Sequence, residues 1–123
     1  MPHITIEHSK CIDQEIINEL SKEIPEMMSK INEGNFSVQG CKVRASSFSK
    51  YLVGGLDQSL SSFCHITIKI LAGRSEEIKV ELAQKAGELA KEWLQNRKNL
   101  KEKNDLSVDI VDMSANTYQK ISY

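Results

Sequence analysis

One four-residue word occurs twice in this chain, as His3-Ile4-Thr5-Ile6 and again as His65-Ile66-Thr67-Ile68. Shifting the sequence on itself by sixty-two positions also matches Glu15-Ile16 with Glu77-Ile78 and Leu20 with Leu82, without a gap. Self-similarity at half the chain length, carried past the identical word into helix-patterned positions, indicates one structural unit written twice. A chain of 123 residues is of single-domain size. We therefore expect one domain over residues 1–123, built from two repeats at about 1–48 and 63–113.

Each copy opens with period-two alternation: Ile4 and Ile6 in the first, Ile66, Ile68 and Ile70 in the second, with polar residues between them. That pattern predicts a half-buried strand. A turn with a plausible N-cap follows, Asp13 or Ser75, and then apolar residues at helical spacing. The first helix is marked by Ile16, Ile17, Leu20, Ile24, Met27, Met28 and Ile31, the second by Ile78, Leu82, Ala86, Leu89 and Trp93. Pro25 lies inside the first pattern and removes an amide donor, so a kink or restart is expected there. Met27, Met28 and Trp93 read as core filler.

A second alternating run closes each copy, Cys41 to Ala45 and Leu106 to Val111. Each unit is thus β-α-β, and the chain is α+β with the order β-α-β-β-α-β. A helix joining two strands of one sheet favours the right-handed parallel crossover, which lays both helices on one face as a two-layer sandwich. The uncovered face, mixed polar and apolar, suits contact with other subunits. Gly34 to Gln39 and Arg97 to Asp105 read as helix-to-strand loops, and Gly54-Gly55 with Asp57 to Ser62 as the joint between copies. The run KEWLQNRKNLKEK reads as a solvated helix end.

Charge narrows the function classes. Lysine and arginine number 16 against 17 acidic residues, a net charge of −1, so no broad positive field attracts nucleic acid or anionic lipid. Neither a signal peptide nor a membrane-length apolar stretch is recognisable, and a cytoplasmic protein is expected. Cys11, Cys41 and Cys64 are odd in number and widely spaced, which fits neither a disulfide framework nor a metal site. They are expected to be reduced and mostly buried.

No phosphate loop, GxSxG, HExxH or Cys/His cluster is present. His3, His8 and His65 lie in or beside strands and read as hydrogen-bonded structural residues. What remains is Pro2, at the head of the first strand, and two arginines, Arg44 and Arg74.

These residues carry a resemblance. The opening Met-Pro-His, the segment Ile68-Lys69-Ile70-Leu71-Ala72-Gly73-Arg74-Ser75-Glu76-Glu77, and the stretch from Val111-Asp112-Met113 to Thr117-Tyr118 resemble 5-carboxymethyl-2-hydroxymuconate isomerase, of the tautomerase superfamily, over essentially the whole chain. The Ala-Gly-Arg-Ser turn is also similar to that of 4-oxalocrotonate tautomerase, whose chain is about half as long and holds one β-α-β unit. The resemblance implies a tautomerase-like sandwich, a homotrimer, and removal of Met1 to expose Pro2 as the catalytic base. It implies no metal or organic cofactor, and a small anionic dienol from aromatic-compound (homoprotocatechuate) catabolism as substrate. Cys64, the counterpart of Pro2 in the second copy, is internal and has only an amide nitrogen.

The implied chemistry is intelligible on its own. A terminal proline is a secondary amine; burial disfavours its cation, so its pKa falls toward neutrality. Arginines remain charged and present forked donors to carboxylates. By resemblance, Arg74 and Arg44 bind a carboxylate or the developing oxyanion, their roles interchangeable, while Pro2 takes the 2-hydroxyl proton and returns one to a carbon further along. Arg74, at a helix start, is expected to have few packing duties. The chain departs from the family pattern at Ser49-Lys50-Tyr51-Leu52 and at Glu7-His8-Ser9, which widens the substrate reading to a related 2-hydroxydienoate or a phenylpyruvate-like enol. The competing reading is a non-catalytic binding or structural trimer on the same scaffold, with Pro2 only a strand start.

Overall fold

The computed structural model describes residues 1–123. In chain order it comprises β1 (His3–Ser9), α1 (Gln14–Ser29), a 3-10 turn (Val38–Gly40), β2 (Lys42–Phe48), β3 (Ser61–Leu71), α2 (Glu76–Gln95) and β4 (Lys103–Met113). The strands form one sheet in the order β2-β1-β3-β4. β1 and β2 are parallel, as are β3 and β4, and the two pairs meet antiparallel through β1 and β3. The α+β order and the two parallel β-α-β crossovers expected from the alternation are those observed.

The repeated word explains the central seam. Across β1 and β3, Ile4 pairs with Ile68, Thr5 with Thr67 and Ile6 with Ile66, so each copy of the word lies antiparallel on the other. Thr5 and Thr67 are repeat mates, and they are also cross-strand partners. A local twofold axis therefore passes between them. Because alternate residues point to opposite faces, this register sends Ile4, Ile6, Ile66 and Ile68 to one side, where all four are fully buried.

Both helices cover that side. Ile16, Ile17, Leu20, Ile24 and Met28 of α1 and Leu82, Ala86, Ala90 and Leu94 of α2 join the strand isoleucines in one core cluster of 18 residues. α2 is capped by Ser75, whose hydroxyl accepts the Ile78 amide at 3.3 Å, as expected. Asp13 occupies the N-cap position of α1, yet its side chain makes no capping bond. α1 runs through Pro25 without a restart. It ends at Ser29, short of Ile31, although Ile31 is still buried in the core. Trp93 reaches across the helix pair and donates its indole N–H to Glu23, so it is a half-buried bridge as well as filler.

Two further expectations need correction. Only Cys64 is buried among the three free thiols; Cys11, in the turn after β1, and Cys41, just before β2, are half-buried because they lie outside the strands. Burial pushes the Cys64 thiol up to about 12. The charged run after α2 is not wholly solvated either, because Arg97 is buried. Its guanidinium donates to the carbonyl of Leu94, to Ser62 Oγ and to the side-chain oxygens of Asn99 and Asn104. The turn after α2 folds back over the sheet end, and these acceptors take up the donors that a solvated arginine would offer to water. No helix of the chain is long and apolar enough to cross a membrane.

The dyad core can be tested by truncation. Ile66→Ala should destabilise the protein by about 2–5 kcal/mol, whereas Val80→Ala, on the exposed side of α2, should stay within about 0.5 kcal/mol. Urea unfolding at a fixed protein concentration reads both; equal effects would contradict a core centred on the seam.

Candidate active site

The head of β1 lies where four segments converge. Pro2 is buried, and its carbonyl accepts the amide of Lys42 at 3.0 Å, at the start of β2. The 3-10 turn crosses in front, with Gly40 set so close that a methyl group there would stand 3.5 Å from the Met1 nitrogen. β3 runs antiparallel to β1 and ends at this same edge, delivering the turn that carries Arg74.

That turn aims the arginine through a chain of local requirements. Gly73 has φ 127, a conformation that residues with a Cβ rarely adopt, and it swings the chain from β3 back toward the loop after α1. The Arg74 guanidinium lies over the Phe36 ring at 4.5 Å. It donates from Nε to the carbonyl of Gly34 at 3.0 Å, from Nη2 to that of Asn35 at 3.2 Å and from Nη1 to that of Leu71 at 3.4 Å. Phe36 in turn packs on Gly34, where a methyl group would meet the ring at 2.8 Å. Arg74 therefore has more packing duty than its position at a helix start suggested: it ties the first copy's loop to the second copy's turn. A shallow cleft of about 380 Å³ runs alongside, lined by Arg74, Asn35 and Ser75 among others.

Arg44 lies elsewhere on the same edge. In β2 it pairs with Thr5, so it projects from the sheet face opposite the helices and is exposed. Its Nη1 donates to His3 Nδ1 at 3.3 Å, and His3 Nε2 meets the Tyr118 hydroxyl at 2.9 Å. Since an arginine can only donate, Nδ1 must be the acceptor and Nε2 carries the proton. Burial, then the charges of Arg44, Lys42, the chain amine and Lys69, push the His3 pKa down. His3 is thus neutral at pH 7, bridging Arg44 to the C-terminal segment.

The electrostatics single out the amine. The terminal nitrogen, on Met1 in this chain, has its pKa lowered from 8.0, first by burial and then by the positive charges of Arg74, Lys42 and Lys120, with Cys41 opposing. Arg74 thus acts on the amine; Arg44 is grouped instead with His3, the residue next to Pro2. Of the three residues singled out in the sequence, Arg74 acts on the terminal amine that precedes Pro2, and Arg44 contacts His3, which follows it. His3, Lys42 and Tyr118 were not singled out. The only signal for Tyr118 was its place in the resembling C-terminal stretch; His3 stood in the resembling Met-Pro-His opening and read as a hydrogen-bonded structural residue, which its contacts bear out.

Comparison with known proteins bears on the family and the fold. A family model described as 5-carboxymethyl-2-hydroxymuconate isomerase matches residues 2–122. Among solved structures, a 5-carboxymethyl-2-hydroxymuconate isomerase from Deinococcus radiodurans is similar at 26% identity and a TM-score of 0.79, covering 99% of this chain and 90% of that one. A 5-carboxymethyl-2-hydroxymuconate delta-isomerase is similar at 18% identity and a TM-score of 0.72, covering 100% and 89%. A fused 4-OT wild type symmetric trimer shares the fold at 13% identity and a TM-score of 0.72, covering 91% and 87%. No curated protein sequence gives a match.

The clamp role of Arg74 separates from any chemical role by measurement. Arg74→Ala should cost about 1–3 kcal/mol, since three carbonyls lose a charged donor. Arg74→Lys should recover only part of that, because one ammonium cannot span the fork. Urea unfolding checks this, and unchanged stability in Arg74→Ala would mean that water replaces the guanidinium at no cost.

Proposed function

We propose, for a chain that belongs to the 5-carboxymethyl-2-hydroxymuconate isomerase family and so to the isomerases of the tautomerase superfamily, that it ketonises 5-carboxymethyl-2-hydroxymuconate or a related 2-hydroxydienoate. The Pro2 nitrogen is the base once Met1 is removed. The observation that carries this reading is the depressed amine at the head of β1. Removing Met1 transfers the free amine one residue inward, from a half-buried position to a buried one. Deeper burial disfavours the ammonium further, and Arg74 and Lys42 act in the same direction.

The steps follow from that charge state. A neutral proline nitrogen accepts the proton of the 2-hydroxyl, leaving a dienolate whose negative charge is spread between oxygen and the conjugated carbons. The prolinium then gives a proton to a carbon further along, and the C=O forms as the double bonds shift. The proton taken is balanced by the proton returned, so substrate and product are isomers. Arg74, already fixed by three carbonyls, is preorganised to meet a carboxylate or the oxyanion without reorienting. Arg44 commits one N–H to His3 and keeps the rest of its fork for a second carboxylate.

The sheet face opposite the helices carries Thr5, Glu7, Arg44, His65 and Thr67, mixed with Phe63 and Leu71. Such a face suits burial against further copies of the chain, and the likeness to the fused 4-OT trimer supports a homotrimer. The reading places the enzyme in aromatic-compound degradation in the cytoplasm.

Two experiments test it. Mass spectrometry should confirm loss of Met1, after which dienol absorbance is followed across pH for the processed protein, for Pro2→Ala and for a form that keeps Met1. Because the amine pKa is lowered, kcat/KM should rise with pH to a plateau through a midpoint below 8.0. Pro2→Ala, with a primary amine, should lose rate, and the Met1-bearing form should show the solvent rate alone. A Met1-bearing form as active as the processed one would reject Pro2 as base and favour a binding role for the scaffold. For the assembly, light scattering at micromolar concentration should return three times the chain mass; a stable monomer would exclude the trimer.

A further inference from the structure

The local twofold axis that builds the sheet also builds a second strand head. Cys64 is the repeat mate of Pro2, Ile12 that of Arg74, and Arg97 that of Asn35. Where the first end receives a guanidinium from the strand-to-helix turn, the second receives one from the helix-to-strand loop. At the opposite end of the sheet from Pro2, between Cys64, Ile12 and Arg97, lies a cleft of about 290 Å³.

The cleft walls are apolar: Ile12, Phe63, Cys64, Leu94, Leu100 and Leu106. Arg97 lies among them with only 9% of its surface exposed. All its recorded partners are neutral. Nη2 donates to Ser62 Oγ at 2.7 Å and to Asn104 Oδ1 at 3.2 Å, Nη1 to the Leu94 carbonyl at 3.1 Å and Nε to Asn99 Oδ1 at 3.0 Å. Ser62 is itself spent, donating to Asn104 at 2.6 Å. Four bonds engage four of the five guanidinium N–H groups, which leaves one Nη1 hydrogen.

No carboxylate compensates this charge. Asp105 lines the cleft, but it is exposed and its ion pair, at 3.8 Å, is with Lys103. A buried cation held by neutral acceptors bears its desolvation cost without Coulombic return. Lys91, also on the lining, is as exposed as Asp105 and of opposite sign, so the buried charge of the cleft is that of Arg97. The arrangement is a small apolar pocket with one fixed, uncompensated positive charge, a common recipe for small-ligand recognition.

We propose that this second cleft binds a small monocarboxylate with a short apolar body, its carboxylate against Arg97 and its body against Leu94, Leu100 and Leu106. The site is separate from the Pro2 end and does not depend on the isomerase reading. Cys64 closes its inner wall as a neutral thiol.

Benzoate, and benzamide as its uncharged counterpart of similar shape, are suitable probes. Titrated into isotope-labelled full-length protein, benzoate should give saturable amide shifts at Leu94, Leu100 and Leu106, while benzamide should bind at least about tenfold more weakly. Arg97→Gln should weaken benzoate by about tenfold or more. Should that variant fail to fold, Ile12→Trp decides the matter: it fills the cleft while keeping the guanidinium, and should abolish the benzoate shifts. Equal binding of the two probes, shifts centred on residues beside Pro2 and Arg74, or full benzoate binding by a folded Ile12→Trp would each overturn the proposal. So would the absence of saturable shifts, the outcome expected if a neighbouring copy of the chain fills the cleft.

Discussion

The structure depends on a short segment pairing with its own copy. With Thr5 opposite Thr67, two identical stretches satisfy each other's backbone donors and acceptors in the middle of the sheet. The same register puts four isoleucines on one face. A slip by one residue would send those side chains to the opposite face, away from the helices. Hydrogen bonding and apolar burial thus select the same alignment. Everything outward follows from that seam: each half's own parallel strand on the flank, and one helix from each half over the isoleucine face.

A sheet with a local twofold has two equivalent ends, and the chemistry of this protein lies in how they differ. At one end the strand starts with Pro2 near the chain terminus, and Gly73 and Phe36 hold Arg74 against the loop. At the other the strand head is interior to the chain, with Cys64 as a buried thiol, and Ile12 stands where the first end has an arginine. Of the two strand heads, one carries Pro2 and the other the buried Cys64 thiol. The latter has acquired Arg97, which turns an apolar hollow into a charged one.

Arg74 shows how firmly the Pro2 end is built. A guanidinium held by three carbonyls and an aromatic ring does not need to be ordered when an anion arrives, so the entropic cost is met during folding. The same contacts tie the two copies together across their junction. His3 extends the theme: Arg44 fixes its tautomer from one side and Tyr118 accepts its remaining proton from the other. Folding and charge placement are therefore not separable at this edge.

Much of this was legible in the residues. Alternation marked the strands, helical spacing marked the helices, and the repeat marked the duplication, because each is a local consequence of backbone period and of which side chains avoid water. Pro2 and Arg74 stood out through the resemblance of the Met-Pro-His opening and the Ala-Gly-Arg-Ser turn to a known family, which are likewise short local motifs. What no local pattern could disclose was contact between distant residues. Pro25 could sit inside an unbroken helix because the helix's buried face is held by the sheet. Arg97 looked like one more charge in a solvated run, yet it is buried because Ser62, far from it in sequence, and Asn104, across the turn into β4, converge on its guanidinium. The sequence by itself determined the elements, their order and the core face, since these depend on near-neighbour periodicity. The tertiary structure alone decided which charges leave water and what they face, since desolvation and hydrogen bonding are set by whatever the fold brings within a few ångströms.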